Sequence, residues 1–303
     1  MSVMSEPAGR APTPGDGDSQ AAALMVVLDL DEREPDVFVG QTPATRMQRI
    51  FGGQVAGQAL MAAGRTVPPE RGVHSMHAYF LRPGDPQEEI RYAVDRIRDG
   101  RSFTTRRVLA WQHRKGEDVA IFALTADFHA GQPAVVQHAL PMPEVPGPDE
   151  LPSLADVAVR HGERASGALE IGRAVEQRLL EDPFEGRSKQ PPDTATRVWM
   201  RVAGRLPDAP AVHAAALTFV SDLTLLGAGL ARVGGWGDRY SGASLDHAVW
   251  FHAPVRADEW FLYETDSPAA SGGLALCFGR IWSADGTHVA TVAQEGLLRA
   301  AEG

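Results

Sequence analysis

The chain repeats itself. Phe80, Pro83, Tyr92, Asp95 and Trp111 recur as Phe251, Pro254, Tyr263, Asp266 and Trp282, 171 positions later. One residue is then lost from a turn, and Gly116, Val119, Ala120 and Ala123 recur as Gly286, Val289, Ala290 and Ala293. Aromatic, Pro and Gly positions kept in order mark a duplicated structural unit. The fold must therefore be built from two copies of one architecture. A chain of 303 residues has room for two such cores.

The order of elements is the same in each copy. An apolar helix is expected at 53–66, rich in Ala, Gln, Leu and Met, and another at 210–230. In the second, Asp208 is the expected N-cap and Pro210 lies in the first turn. Val212, Ala216, Phe219, Leu223 and Leu226 fall at helical spacing. Strand-like runs follow at 73–81, 89–97, 103–112 and 118–128, and again at 243–252, 259–266, 273–283 and 287–298. Asp-Gly turns separate several of them, as at Asp99-Gly100 and Asp285-Gly286. A helix before four antiparallel strands must bury its apolar face on their sheet, which makes an α+β protein of two helix-on-sheet units. Residues 1–22 read as a disordered tail and 23–135 as the first unit. Residues 136–194 read as a linker, with five prolines over 141–152 and a helix from about Ser153, and 195–303 as the second unit.

The places where the copies differ point to chemistry. The second helix carries one formal charge, Asp222, among Phe219, Val220, Leu223, Leu225 and Leu226, whereas the first has Gln54 and Gln58 and no acid. A carboxylate in apolar surroundings needs hydrogen-bond partners, or it sits on a solvated edge. Held in a cleft, it can orient water or accept a proton. In the last strand Leu124 of the first copy becomes Gln294 of the second, and Val73 becomes Ser244. A strand Ser or Gln most often bonds only to its neighbours. Together with Asp222, these two could align one water molecule.

At these residues the chain resembles the acyl-CoA thioesterase II family. The resemblance runs through FGGQVAGQALMAAGRTVPPERGVHSMHAYFLRPGD and RDGRSFTTRRV in the first half. In the second half it runs through SDLTLL, SLDHAVWFHAPVRADEW, SPAASGG and AQEGLLR. It covers about residues 25–299. It implies a tandem, or double, hotdog fold and hydrolysis of medium- or long-chain acyl-CoA to free acid and CoA, with no cofactor. It also implies that Asp222, Ser244 and Gln294 are catalytic. SGG at 271–273 lacks an Arg that many members carry just after it. CoA phosphates would want arginines, for which Arg98, Arg101, Arg106 and Arg107 are the candidates, a solvated strand face being the plainer reading. Hotdog units expose sheet edges, so a homodimer or higher oligomer is expected.

Other classes fare less well. The net charge of −10 argues against a general nucleic-acid partner. No His, Cys or Asp cluster has metal-ligand spacing, and His74 and His77 read as structural. Cys277 is the only cysteine, which together with the absence of a secretory leader points to a reducing, cytoplasmic setting. Residues 209–231 are apolar enough to suggest a membrane span, but they contain His213 and Asp222 and lie within a repeat, so a buried core helix and no membrane insertion are expected. A serine hydrolase would show G-x-S-x-G, and Gly242-Ala-Ser244-Leu-Asp246 breaks it at the last position. A hydratase on this fold would pair a His with an acid in the cleft, yet Asp246 and His247 are adjacent in a strand and face opposite sides. A non-catalytic acyl-CoA-binding module is the remaining alternative.

Overall fold

Strand alternation and the two apolar helices assemble into one continuous curved sheet around a helical pair. The computed structural model describes residues 16–43, 45, 47–132, 135–162, 170, 172–184, 195–232 and 240–300. The first half comprises α1 (Asp16–Leu28), β1 (Asp31–Glu34), β2 (Val37–Gly40), α2 (Gly52–Arg65), β3 (Gly72–Phe80), β4 (Ile90–Asp99), β5 (Phe103–Arg114) and β6 (Glu117–His129). Next come α3 (Leu154–His161), β7 (Val175–Leu179) and β8 (Thr196–Val202). The second half continues with α4 (Pro210–Ser221), α5 (Leu225–Ala231), β9 (Tyr240–Ser244), β10 (Asp246–Phe251), β11 (Phe261–Ser271), β12 (Leu274–Ser283) and β13 (His288–Ala300).

The strand order is β1-β2-β4-β5-β6-β3-β10-β13-β12-β11-β8-β7, with β9 paired to β13. Read inward from its two edges, this is the same order twice. The halves join where β3 and β10 run antiparallel, with Met76 opposite Val249. The repeat thus yields two sheets fused edge to edge rather than two separate bodies. Each half also has a hairpin ahead of its helix, β1–β2 and β7–β8, in addition to the four strands expected.

On the inner face α2 and α4 pack antiparallel. Glycine makes the close approach possible: a Cβ on Gly53 would stand 2.5 Å from the Phe219 carbonyl oxygen, and one on Gly57 would stand 3.1 Å from that of Ala215. Along β13 the inward residues Ala290, Val292, Gln294 and Gly296 alternate with outward ones, as period two requires. The repeated tyrosines hold corresponding core places. Tyr92 and Tyr263 are both fully buried, and each hydroxyl finds an acceptor, Gln58 Oε1 at 2.7 Å and the Ser221 carbonyl at 2.9 Å.

The proline-rich stretch is pinned to the second half. The indole N–H groups of Trp199 and Trp282 donate to the carbonyls of Pro146 and Leu140 at 2.9 and 3.0 Å. Met142, Val145 and Leu151 pack beside the same indoles. Helix α3 starts at Ser153 as expected, with a capping box between Ser153 and Asp156. Strand β7 pairs with β8, so an edge strand of the second sheet lies within 136–194.

Four local expectations need correction. Helix α1 begins at Asp16, inside the stretch read as a tail, and buries Ala21, Leu24 and Leu28 against the core. Asp208 does not cap α4: the N-cap is Ala209, and the Asp208 carboxylate turns to Arg205 and Arg256. The run 210–230 is not one helix, because it breaks after Ser221 and resumes at Leu225. The run 243–252 is likewise split at Leu245, between β9 and β10.

Candidate active site

The helix break places Asp222 at the C-cap of α4, where its side chain turns to the start of α2. The apolar run itself gives no reason to stop there. Asp222 is 9% exposed, and its Oδ1 accepts from Gln294 Nε2 at 2.6 Å and from Ser244 Oγ at 3.3 Å. The main-chain N–H of Gly53, in the first turn of α2, donates to the same carboxylate. The N-cap of α2, Phe51, offers no side-chain acceptor. Asp222 therefore supplies from the second half the acceptor that the first helix lacks, at the positive end of its dipole. Gly52 must be glycine for this approach, since a Cβ there would lie 2.8 Å from Asp222 Oδ2 and 2.7 Å from the Phe80 ring.

The three residues that differed between the copies thus meet. Ser244 ends β9 opposite Gly296 of β13, and Gln294 lies two residues back on the same inward face. Burial pushes the Asp222 carboxyl up to about 6, and the bonds from Gln294, Gly53 and Ser244 oppose that rise without cancelling it. Such a carboxyl changes charge near neutrality, where a general base is most effective. Gln294 is fully buried, and its Oε1 has no hydrogen-bond partner among the described residues. An acceptor left open beside a carboxylate can hold a water molecule.

His247, in β10, completes the polar cluster. It is fully buried, with Nε2 2.9 Å from Ser221 Oγ and Nδ1 3.2 Å from Gln294 Nε2, and burial pushes its pKa down to about 4. Gln294 stands between His247 and Asp222, so the two do not form the His–acid pair a hydratase would use. Asp246 faces the other way and accepts from the Glu295 N–H at 2.6 Å. Cys277, opposite Gln294 in β12, is buried with its thiol pushed up to about 11, the setting of a core thiol rather than an activated one.

The arginines are elsewhere. Arg106 is 1% exposed and wholly engaged: it donates to Thr66 Oγ1 and the Thr66 carbonyl, to the Arg98 and Thr105 carbonyls, and to Asp99 at 2.7 Å. It closes the C-terminal end of α2 and has no donor free for a phosphate. Arg107 pairs with Asp95 across the hairpin at 2.6 Å. The Arg98 carbonyl accepts from Arg106 at 3.1 Å, and the Arg101 carbonyl accepts from Arg71 at 3.2 Å. Asp222 touches the opposite end of α2, roughly 20 Å away along a helix of this length. None of the four belongs to the Asp222 site.

Some of the site had no mark in the sequence. Gly52 and Gly53 act only through a contact between halves, and His247 reads in the sequence only as a candidate partner of Asp246, which faces the other way. The one available signal for the glycines was their pairing at the start of a helix, where a close backbone approach often needs them.

Comparison with known proteins agrees with this architecture. Residues 42–129 match the acyl-CoA thioesterase N-terminal domain and residues 143–298 the acyl-CoA thioesterase C-terminal domain. Acyl-coenzyme A thioesterase 8 of Mus musculus is 38% identical, over 98% of this chain and 97% of its own. Acyl-CoA thioesterase 2 of Haemophilus influenzae is 34% identical, over 92% and 98%. The crystal structure of the acyl-CoA thioesterase II TesB2 from Mycobacterium marinum superposes with a TM-score of 0.75 at 40% identity, covering 93% of this chain and 98% of that one. The fused sheets wrapped on paired helices are a double hotdog, and the chain belongs to the acyl-CoA thioesterase family.

Proposed function

We propose that this protein hydrolyses acyl-CoA thioesters to a free acid and CoA, with Asp222, Ser244 and Gln294 activating the attacking water. The observation that carries this reading is the buried Asp222 carboxylate, bonded by Gln294, Ser244 and the Gly53 amide, with its pKa raised to about 6. Water gives a proton to Asp222 as its oxygen adds to the thioester carbonyl carbon. The C–S bond then breaks, and the proton passes to the departing CoA sulfur. Gln294 Oε1 holds the second hydrogen of the water. The positive end of α2 supports the negative charge that develops on the carbonyl oxygen.

Phe80 lies against Gly52, Phe122 against Phe80 at 5.2 Å, and Phe51 against Phe219 at 5.1 Å. These rings make the start of α2 beside Asp222 apolar, in keeping with a medium or long acyl chain. Ser244 bonds to Asp222 and makes no bond to a histidine, which favours a bound water over a serine nucleophile. We also infer a cytoplasmic setting, in keeping with the lone buried thiol. Assembly as a homodimer or higher oligomer is inferred from the exposed Tyr79 and Leu81 at the end of β3, and a monomeric mass by light scattering would remove that part.

The test is thiol release from an acyl-CoA panel. Asp222→Asn should fold and lose about 10²- to 10⁴-fold in kcat, the usual contribution of a general base. Full activity in that variant would sink the assignment. A fluorophosphonate probe should leave the wild-type enzyme active.

A further inference from the structure

The polar cluster behind Asp222 has a direction, set at one end by a main-chain carbonyl. Thr218 O can only accept, and Ser221 Oγ donates its single hydrogen to it at 3.0 Å. The 2.9 Å contact between Ser221 Oγ and His247 Nε2 must then be an Nε2–H donating to Ser221. A neutral imidazole carrying its proton on Nε2 has a bare Nδ1, which can only accept. Gln294 meets that Nδ1 at 3.2 Å, so it must present its NH2 group there. The other hydrogen of the same NH2 goes to Asp222 Oδ1 at 2.6 Å. Gln294 Oε1 is thereby turned away from both partners and left open.

We propose that His247 is a positioning residue, whose unprotonated Nδ1 fixes the amide of Gln294 so that Oε1 always faces the attacking water. This rests on the water-activation reading above and adds to it. Asp222 alone fixes the amide only while it is ionised. Once it has taken a proton from water, its O–H can donate, and an amide turned over by half a turn would suit it equally well. The turned amide would set an N–H where the next water needs an acceptor. It would also push Oε1 against the lone pair of His247 Nδ1. Shifting the imidazole proton to Nδ1 gives no escape, because Ser221 would then have to abandon Thr218 O. The orientation therefore survives the proton transfer.

The side-chain geometry offers a discriminating pair of variants. Asn carries its carbonyl oxygen where the histidine carries Nδ1, and Gln carries its polar atoms only near Nε2. His247→Asn should keep most of kcat. His247→Gln should lose roughly ten- to a hundredfold in kcat with little change in KM, the scale of a misplaced catalytic group. Ser221→Ala is a smaller deletion that frees the imidazole tautomer, and it should lower kcat severalfold with KM unchanged. Each variant is checked for folding by near-UV circular dichroism and thermal melting. Wild-type kcat in folded His247→Gln, equal losses in the Asn and Gln variants, or wild-type kcat in Ser221→Ala would overturn the proposal. Asp222→Asn is assayed alongside. Retained activity there would bring down the water-activation reading itself, whereas its loss combined with a wild-type His247→Gln would bring down only the role of His247.

Discussion

Gln58 in the first half and Gln294 in the second are both fully buried amides, and their surroundings treat them differently. Gln58 has a partner for every polar atom: Nε2 donates to the Val27 and Gln41 carbonyls at 2.7 and 3.2 Å, and Oε1 accepts from Tyr92 at 2.7 Å. Gln294 has both hydrogens engaged and its oxygen open. The closed network ties α1 and β4 to α2. The other leaves a buried acceptor without a partner among the described residues. Where the first half has Val73 and Leu124, the second has Ser244 and Gln294, so both strand residues that bond Asp222 come from the second half.

The most severe test of this contrast writes the first half into the second. Gln294→Leu should fold, since Leu fills the sister position, and should lose about 10²-fold in kcat for thiol release. An unchanged rate would erase the functional difference between the halves. Next in size is a pH effect confined to the second half. The Asp222 carboxyl is near 6 when folded and 3.8 in the reference state, so the native state holds the extra proton between those values. The contribution of Asp222 to stability is then greatest below about pH 4, falls as pH rises towards 6, and stays lower above it, by about 2–3 kcal/mol. Asp222→Asn should lack this decline. Thermal melts of both proteins across that range check it, and parallel curves would refute it. The wild-type rate should rise over the same interval as the base ionises.

Gln58→Leu probes the scaffold half. It strands the Val27 carbonyl and the Tyr92 hydroxyl and should cost about 1–3 kcal/mol in urea denaturation while leaving kcat unaltered. A fall in kcat without a fall in stability would show that the first half acts on the reaction through more than the start of α2. Smallest is Arg107→Ala. Its exposed pair with Asp95 should be worth less than about 1 kcal/mol, with KM for acyl-CoA unchanged. A rise in KM would return CoA recognition to this hairpin.

Most strands were readable, because alternation and Asp-Gly turns are local signals. β3 to β6 and β10 to β13 lie close to the expected runs, apart from the split at Leu245 and the longer β11. β1 was not readable: it is four residues long, all charged and exposed, and only pairing with β2 makes it a strand. The break after α4 was hidden because Leu223 and Leu226 continue the helical spacing past it, and it sets a carboxylate against the other half. Asp222, Ser244 and Gln294 could be picked out because a sister copy showed what the scaffold alone needs. A cluster in sequence is not a cluster in space: Arg106 and Arg107 are neighbours in a strand, one inward and one outward.

The bond from Gly53 to Asp222 also bears on how the chain counts as an enzyme. A centre assembled from both halves is one centre per polypeptide, so a tight transition-state mimic would titrate a single equivalent. Cutting the gene within the proline-rich stretch would not yield two weaker catalysts. Each fragment alone would be inert, and activity would return only on mixing, with the second-order kinetics of a complementation assay.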